Sequence, residues 1–282
     1  MKLSIQQDWP RELRVRFNSR EEWCAFYQGH RFLNDPAYLA FLVRQIQEDG
    51  FICPFHQRQV MPSEIIFGDP NYREGLLGGN LSSRLRAVLG ELDRGTKGIP
   101  VGDVRVYAPE AITAFALLLR GRYVRFIGSE YSANQHTAEN LFPIRSENLQ
   151  ALSFPNKVFD VVVVNDVFEH VPDIDCCLAE ICRVTRPGGR LITTFPFNIG
   201  QVNSIIKARL STTGIEYLAE PEYHGNPIDP KGSLVFEIPG WNILARARAA
   251  GWAAAEIVYE QSVERGIVGG GFSGVFTMVA VR

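Results

Sequence analysis

"FPNKVFDVVVVNDVFEHVPD", residues 154–173, decides the fold. A strand wetted on one face alternates apolar and polar residues, whereas a central parallel strand is covered on both faces and reads as an unbroken apolar run. Val161, Val162, Val163 and Val164 form such a run. Burying each valine stabilises the fold by about 1.5–3 kcal/mol, enough to hold the strand and the residues after it in place. The run stops at Asn165 and Asp166, with Glu169 and His170 one turn further on. In open α/β sheets ligands lie outside the carboxyl ends of the strands, so polar residues at this point predict a binding crevice.

Outward from this strand, strands and helices alternate from Val104: "VRVYA", "PEAITAFALLLRG", "YVRFIGSEY", "FDVVVVND", "DIDCCLAEICRVTRPGG" and "RLITTFPF". That alternation predicts crossover units and a doubly wound, Rossmann-like α/β sheet. Pro109 suits the first turn of a helix whose buried stripe is Ile112, Phe115, Ala116 and Leu119. "AAAEIVYEQS" and "GVFTMVAVR" predict two closing strands joined by the glycine-rich "VERGIVGGGFSG". The latter is a connection rather than a phosphate loop, because no helix follows it. Residues 1–100 have a different texture, charged and aromatic with helical spacing in "EEWCAFYQGHRF" and "PAYLAFLVRQIQEDG" and no run of strands. The expected organisation is therefore a helical and irregular region over 1–100 and an α/β domain over 101–282, with an insert at 198–240.

Composition narrows the function classes. The chain has 282 residues, 46% of them hydrophobic and 21% charged, with a net charge of −2, which gives no reason to expect nucleic-acid binding. No window approaches a membrane span, and the opening MKLSIQQDWPRELR lacks a signal segment. Three of the five cysteines, Cys176, Cys177 and Cys182, sit in one helical stretch, which suits buried thiols in a reducing cytoplasm.

"ENLQALSFPNKVFDVVVVNDVFEHVPD" followed by "LAEICRVTRPGGRLITTFPF" resembles the middle of class I S-adenosylmethionine-dependent methyltransferases of the small-molecule type, over roughly residues 104–197. In that family the corresponding segments read like LPFPDxSFDxVxxxxVLEHVxD and RVLRPGGxLxxxxP. The resemblance implies S-adenosylmethionine as cofactor and methyl transfer to an oxygen or nitrogen of a small polar acceptor. It places Glu130, with Tyr131 after it, at the adenosine ribose, and Asn148 and Leu149 at the adenine. Asn165 and Asp166 take the methionine side, and "RPGG" is a tight turn with Gly188 and Gly189 at positive φ. The insert becomes a substrate cap. Within it Tyr223 would orient the acceptor, while His224 or Asp166 would take a proton from it. His170 belongs to the family's "EH" pair and has a supporting part. A homodimer is compatible with the aromatic amino-terminal region.

One departure concerns the family's first loop, normally like DxGxGxG. Here it reads "VYAPEAITAF", with no glycine from Val104 to Arg120. Glycine-rich turns are most needed around a diphosphate, and S-adenosylmethionine has none. Tyr107, Ala108, Pro109, Glu110 and Thr113 are the candidates for its amino-acid end. A similar E-x-x-T loop followed by "IGSEY" marks a bacterial subgroup of methyltransferase-like proteins that carries a zinc-ribbon-like region with two Cys-x-x-Cys pairs. Here "ICPFHQR" keeps Cys53 and His56, but Leu77 and Asn80 replace the second pair, so no metal site is expected, because structural zinc wants four ligands. Two other classes stay open. A nicotinamide-dependent oxidoreductase would want GxGxxG at 106–113, which is missing, and a non-catalytic nucleoside-binding protein would tolerate the altered loop.

Overall fold

The computed structural model describes residues 9–132 and 135–282; the opening residues 1–8, part of the stretch read as lacking a signal segment, lie outside them. The chain forms two compact units. One comprises residues 17–22, 90–257 and 277–282, and the other residues up to 16, 23–89 and 258–276. One boundary between the units lies between Leu89 and Gly90, inside the helix Ser83–Gly95.

Six strands of the larger unit's sheet are β1 (Arg105–Ala108), β2 (Arg125–Glu130), β3 (Arg145–Ser146), β4 (Phe159–Asn165), β5 (Thr185–Thr194) and β6 (Val275–Val281, whose residues from Thr277 belong here), beside the strand Ala254–Ser262, whose residues to Ile257 belong here. They run in the order β6-β5-β4-β1-β2-β3. All neighbours are parallel except β6, which pairs antiparallel with β5 from Arg190 opposite Val281 to Thr193 opposite Met278. This is the doubly wound, mostly parallel sheet expected from the sequence. Every residue of β4 from Phe159 to Val164 is buried, as the valine run requires. Its register sets Val161 opposite Val106 on one side and Asn165 opposite Thr194 on the other.

"RPGG" does not end a helix before a separate strand; it is the opening of β5. Gly188 has φ +76°, as expected. Gly189 is required for another reason: a Cβ there would lie 2.6 Å from Thr185 Cγ2 and 2.8 Å from the Asp160 carbonyl oxygen. Helix α1 spans Ala114–Arg122 and starts later than Pro109, with Thr113 as its N-cap accepting a hydrogen bond from the Ala116 N–H. Phe115, Ala116 and Leu119 are buried as predicted, but Ile112 precedes the helix and is exposed. Helix α2 spans Ile174–Val184 and is capped by Asp173, which accepts from the Cys176 N–H. All five cysteines are free thiols. The insert folds as three short antiparallel ribbons, pairing 205–206 with 237–238, 208–211 with 214–217, and 223–224 with 233–234. No helix among the described residues is long and apolar enough to cross a membrane.

The smaller unit holds the helix Pro36–Asp49, capped by Asp35, and short strands at 51–53, 58–60, 66–67, 76–78 and 81–82. These ribbons and the six-residue strand Glu12–Phe17 correct the expectation of a region without a run of strands; the ribbons, at two or three residues each, are too short for a period-two pattern to register. Cys53 Sγ and His56 Nδ1 are 3.2 Å apart and hydrogen-bond one another. The backbone at Gly79 and Asn80, both at positive φ, turns beside that pair where the missing ligands would stand. The fully buried Arg86 ties these loops together, donating to the carbonyls of Leu76, Leu81 and Gly266 with its guanidinium 4.3 Å above the Phe51 ring. Burial pushes its pKa down to about 9, which leaves it charged at neutral pH.

Candidate functional site

The carboxyl ends of β1, β2 and β4 meet at the loop 109–113. Glu130, the last residue of β2, is buried, and its Oε1 accepts from the Ala111 N–H at 2.8 Å and the Ile112 N–H at 3.2 Å. These two N–H groups precede the helix, so Glu130 supplies partners that a helical turn would not and keeps the loop out of the helix up to Thr113. Glu110 turns the other way. It accepts from Asn165 Nδ2 at 2.7 Å, at the tip of β4, and from Thr113 Oγ1 at 2.5 Å. The loop thus bridges the polar ends of two strands separated by β1.

Gly128 makes this approach possible. A Cβ there would lie 2.6 Å from the Glu110 carbonyl oxygen and 3.1 Å from Ala111 Cα. The glycine that lets backbone pass close to backbone sits in the neighbouring strand, not in the loop. Sequence reasoning missed it, although a glycine inside a strand is itself a signal of close approach.

Asn165 Oδ1 is a buried acceptor with no hydrogen-bond partner among the described residues. Asp166 follows at φ +48°, in the left-handed region, with its N–H donating to the Thr194 carbonyl at 2.9 Å. Backbone held in this sparsely populated conformation by its neighbours is characteristic of sites that do chemistry.

Two of the predicted contacts lie in the core. Tyr107 is wholly buried, its hydroxyl bonded to Ser129 Oγ at 2.9 Å and its ring centroid 5.0 Å from that of Phe154 and 5.2 Å from that of Phe159. It is a core residue, and burial raises its pKa. Ala108 is equally inaccessible. Neither has surface to offer a cofactor. Pro109, Glu110 and Thr113 are partly exposed, and Tyr131 stands exposed beyond Glu130. Asn148 is exposed and its Oδ1 accepts from the Gln150 N–H at 2.9 Å, making a tight turn with Leu149 buried inside it. A cavity of about 440 Å³ opens between Gln150, the Pro172–Asp173 entry to α2 and insert residues including Ile206, Leu210 and Phe236.

Past Asp166, the insert clasps the turn 168–170. The Phe236 N–H donates to the Glu169 carbonyl at 2.7 Å, and His170 Nδ1 meets the Leu234 carbonyl at 2.9 Å. Burial lowers the His170 pKa, so its imidazole is neutral at pH 7 with Nδ1–H as the donor. His224 comes down from the ribbon, its Nε2 3.0 Å from Glu222 Oε1 and its Nδ1 3.8 Å from Glu169 Oε1. Tyr223 does not join it. Successive residues of a strand point to opposite faces, and Tyr223 is 52% exposed with Tyr217 as its side-chain partner. The pairing of His170 and His224 across Glu169, and the part of Glu222, are visible only in the fold.

Residues 112–193 match the family model described as a methyltransferase domain. The match bears out the resemblance to class I S-adenosylmethionine-dependent methyltransferases that the strand segment and "RVTRPGG" led us to expect. A ubiquinone/menaquinone biosynthesis C-methyltransferase of Francisella tularensis is 35% identical over 66 residues, 23% of this chain and 26% of the relative. A demethylmenaquinone methyltransferase of Mycobacterium marinum is 36% identical over 67 residues, 24% and 26% of the two chains. The chain thus spans about a quarter of the length of the curated relatives it matches. Among solved structures, the S-adenosylmethionine-bound amino pentose methyltransferase of Micromonospora echinaspora aligns with TM-score 0.43 and 15% identity over 70% of this chain and 90% of that one. An S-adenosylmethionine-dependent methyltransferase of Mesorhizobium loti aligns with TM-score 0.40 and 14% identity over 68% and 97%. The methyltransferase domain's residues suit that cofactor at its amino-acid end: the orphaned Asn165 Oδ1 and the adjacent Glu110 carboxylate are both acceptors, the complement of an ammonium group.

Proposed function

We propose that the protein transfers a methyl group from S-adenosylmethionine to an oxygen or nitrogen of a small polar acceptor. The observation that carries this reading is the buried, unpartnered Asn165 Oδ1 beside Glu110 at the carboxyl end of the central strand. S-adenosylmethionine brings a methyl already activated by a sulfonium, so the protein has to align the acceptor, exclude water and remove one proton. Glu110 and Asn165 hold the ammonium end, with Thr113 fixing the Glu110 rotamer. Glu130 fixes the loop and presents its carboxylate toward the ribose, where a diol donates two hydrogen bonds. Tyr131, Asn148 and Leu149 border the adenine.

Asp166 is the proton acceptor in this reading. It follows the central strand directly, whereas both ring nitrogens of His224 already face carboxylates, Glu222 and Glu169. The acceptor binds under the insert, in the cavity beside Gln150 and Phe236, whose volume of about 440 Å³ suits a small molecule. The polar part of its lining, Gln150, Asp173, Arg209 and Glu237, favours a polar acceptor.

Incubation of the full chain with methyl-labelled S-adenosylmethionine and a panel of small hydroxy and amino compounds tests the proposal. Labelled O- or N-methyl product is expected, and Asp166→Asn should abolish most of it. Binding of S-adenosylhomocysteine with no turnover on any acceptor would favour a non-catalytic binding protein instead. Binding of NADH in its place would favour an oxidoreductase. Label on carbon would match the relatives' C-methyl chemistry and overturn the choice of acceptor atom.

A further inference from the structure

Glu169, His170 and His224 present one carboxylate oxygen and two imidazole nitrogens that all lie within 4.8 Å of one another. Glu169 is fully buried, on the turn that follows the central strand. Its Oε1 is 3.8 Å from His170 Nε2 and 3.8 Å from His224 Nδ1. That is too far for a hydrogen bond, which brings N and O to about 2.7–3.2 Å. It is close to the separation of ligand atoms around one ion: metal bonds of about 2.0–2.2 Å in tetrahedral geometry put neighbouring ligands about 3.3–3.6 Å apart. The two rings stand nearly perpendicular, at 89° with centroids 5.0 Å apart, so both inner nitrogens face the carboxylate without stacking.

The outer nitrogens are already held. His170 Nδ1 donates to the Leu234 carbonyl at 2.9 Å, which fixes the tautomer with a lone pair on Nε2. His224 Nε2 meets the Glu222 carboxylate at 3.0 Å, which leaves Nδ1 to face inward. Glu222 is in turn paired with Lys207. A backbone carbonyl behind one imidazole and a carboxylate behind the other is the arrangement that orients metal-bound histidines and raises their basicity.

We propose that Glu169, His170 and His224 bind a divalent transition-metal ion, zinc for preference, through Oε1, Nε2 and Nδ1. One carboxylate and two imidazoles are the donor set of catalytic rather than structural zinc, and they leave a fourth position for water or a polar ligand. The site departs from the sequence expectation of no metal, which considered only Cys53 and His56. Because two of its three ligands belong to the turn and one to the insert, the ion would also staple the 223–234 ribbon to the sheet.

The test is titration of chelator-stripped full-length protein with cobalt(II), read by visible d–d absorption and by elemental analysis after gel filtration. One equivalent should bind with the absorption of a four- or five-coordinate ion. His170→Gln and His224→Gln should each weaken binding by more than about 100-fold, since loss of an outer-shell partner alone costs about 10–100-fold. Glu222→Gln should fall within that smaller range, and Cys53→Ser should change nothing. His224 lies on a short, partly exposed ribbon of the insert, outside the sheet, and far-UV circular dichroism checks that its variant keeps the fold. No stoichiometric uptake by the folded wild type, uptake unchanged in both histidine variants, or a thiolate charge-transfer band that vanishes in Cys53→Ser would each overturn the proposal. None of these readouts depends on methyl transfer, so they decide the metal site whatever the fate of the methyltransferase reading.

Discussion

Glu130 and the pair Asn165–Asp166 both cap parallel strands of one sheet, yet they are treated in opposite ways. Glu130 is buried and spends Oε1 on two backbone N–H groups of the loop 109–113. At the other tip a buried side-chain oxygen is left without a partner, and the next residue is held at positive φ. Satisfied polar groups stabilise and rigidify, whereas an orphaned one costs about 1–3 kcal/mol until something supplies the missing bond. In the proposed reading the first tip anchors the loop and adds a ribose contact, and the second tip takes the ammonium end and the proton.

If that division holds, substitutions at the two tips should fail differently. Asp166→Asn keeps the side-chain shape and the tolerance of positive φ but cannot take a proton, so kcat should fall by about 100-fold or more with thermal stability unchanged. An unaltered kcat would remove Asp166 from proton transfer. Gly128→Ala forces a methyl against the Glu110 carbonyl, so it should destabilise by about 1–3 kcal/mol in denaturant unfolding and release the loop from β2. Glu130→Gln retains volume and one acceptor oxygen while removing the charge, and should weaken S-adenosylhomocysteine binding by about 10-fold or more with a much smaller effect on kcat. Equal losses in both would blur the distinction between the tips. Thr113→Ala removes the α1 cap and a donor to Glu110, for which unfolding should report about 1 kcal/mol.

The sheet and its polar tips were legible because unbroken burial leaves an unmistakable apolar run in β4, and strand order then follows from crossover geometry. The loop was not. Pro109 looked like a helix start, but Glu130, distant in sequence, captures the Ala111 and Ile112 N–H groups and delays α1 to its Thr113 cap. Tyr107 looked like a cofactor contact because it sits at a strand end; the aromatic cluster with Phe154 and Phe159 draws it into the core instead. Motif spacing drew attention to Cys53 and His56, which hydrogen-bond each other in a unit held by Arg86. The stronger set of metal donors joins residues of the turn after β4 to a residue of the insert, and only the hydrogen bonds of the clasp bring them together. Local periodicity reports burial well and long-range polar capture poorly.

Calorimetric titration of S-adenosylhomocysteine into the full chain and into Asn165→Leu tests the central claim most directly. The account predicts saturable binding to the wild type, at least about 10-fold weaker in the variant, because the leucine cannot accept from the ligand's ammonium group. Absence of binding to the wild type, or equal affinity in both, would contradict a cofactor pocket at the tip of β4.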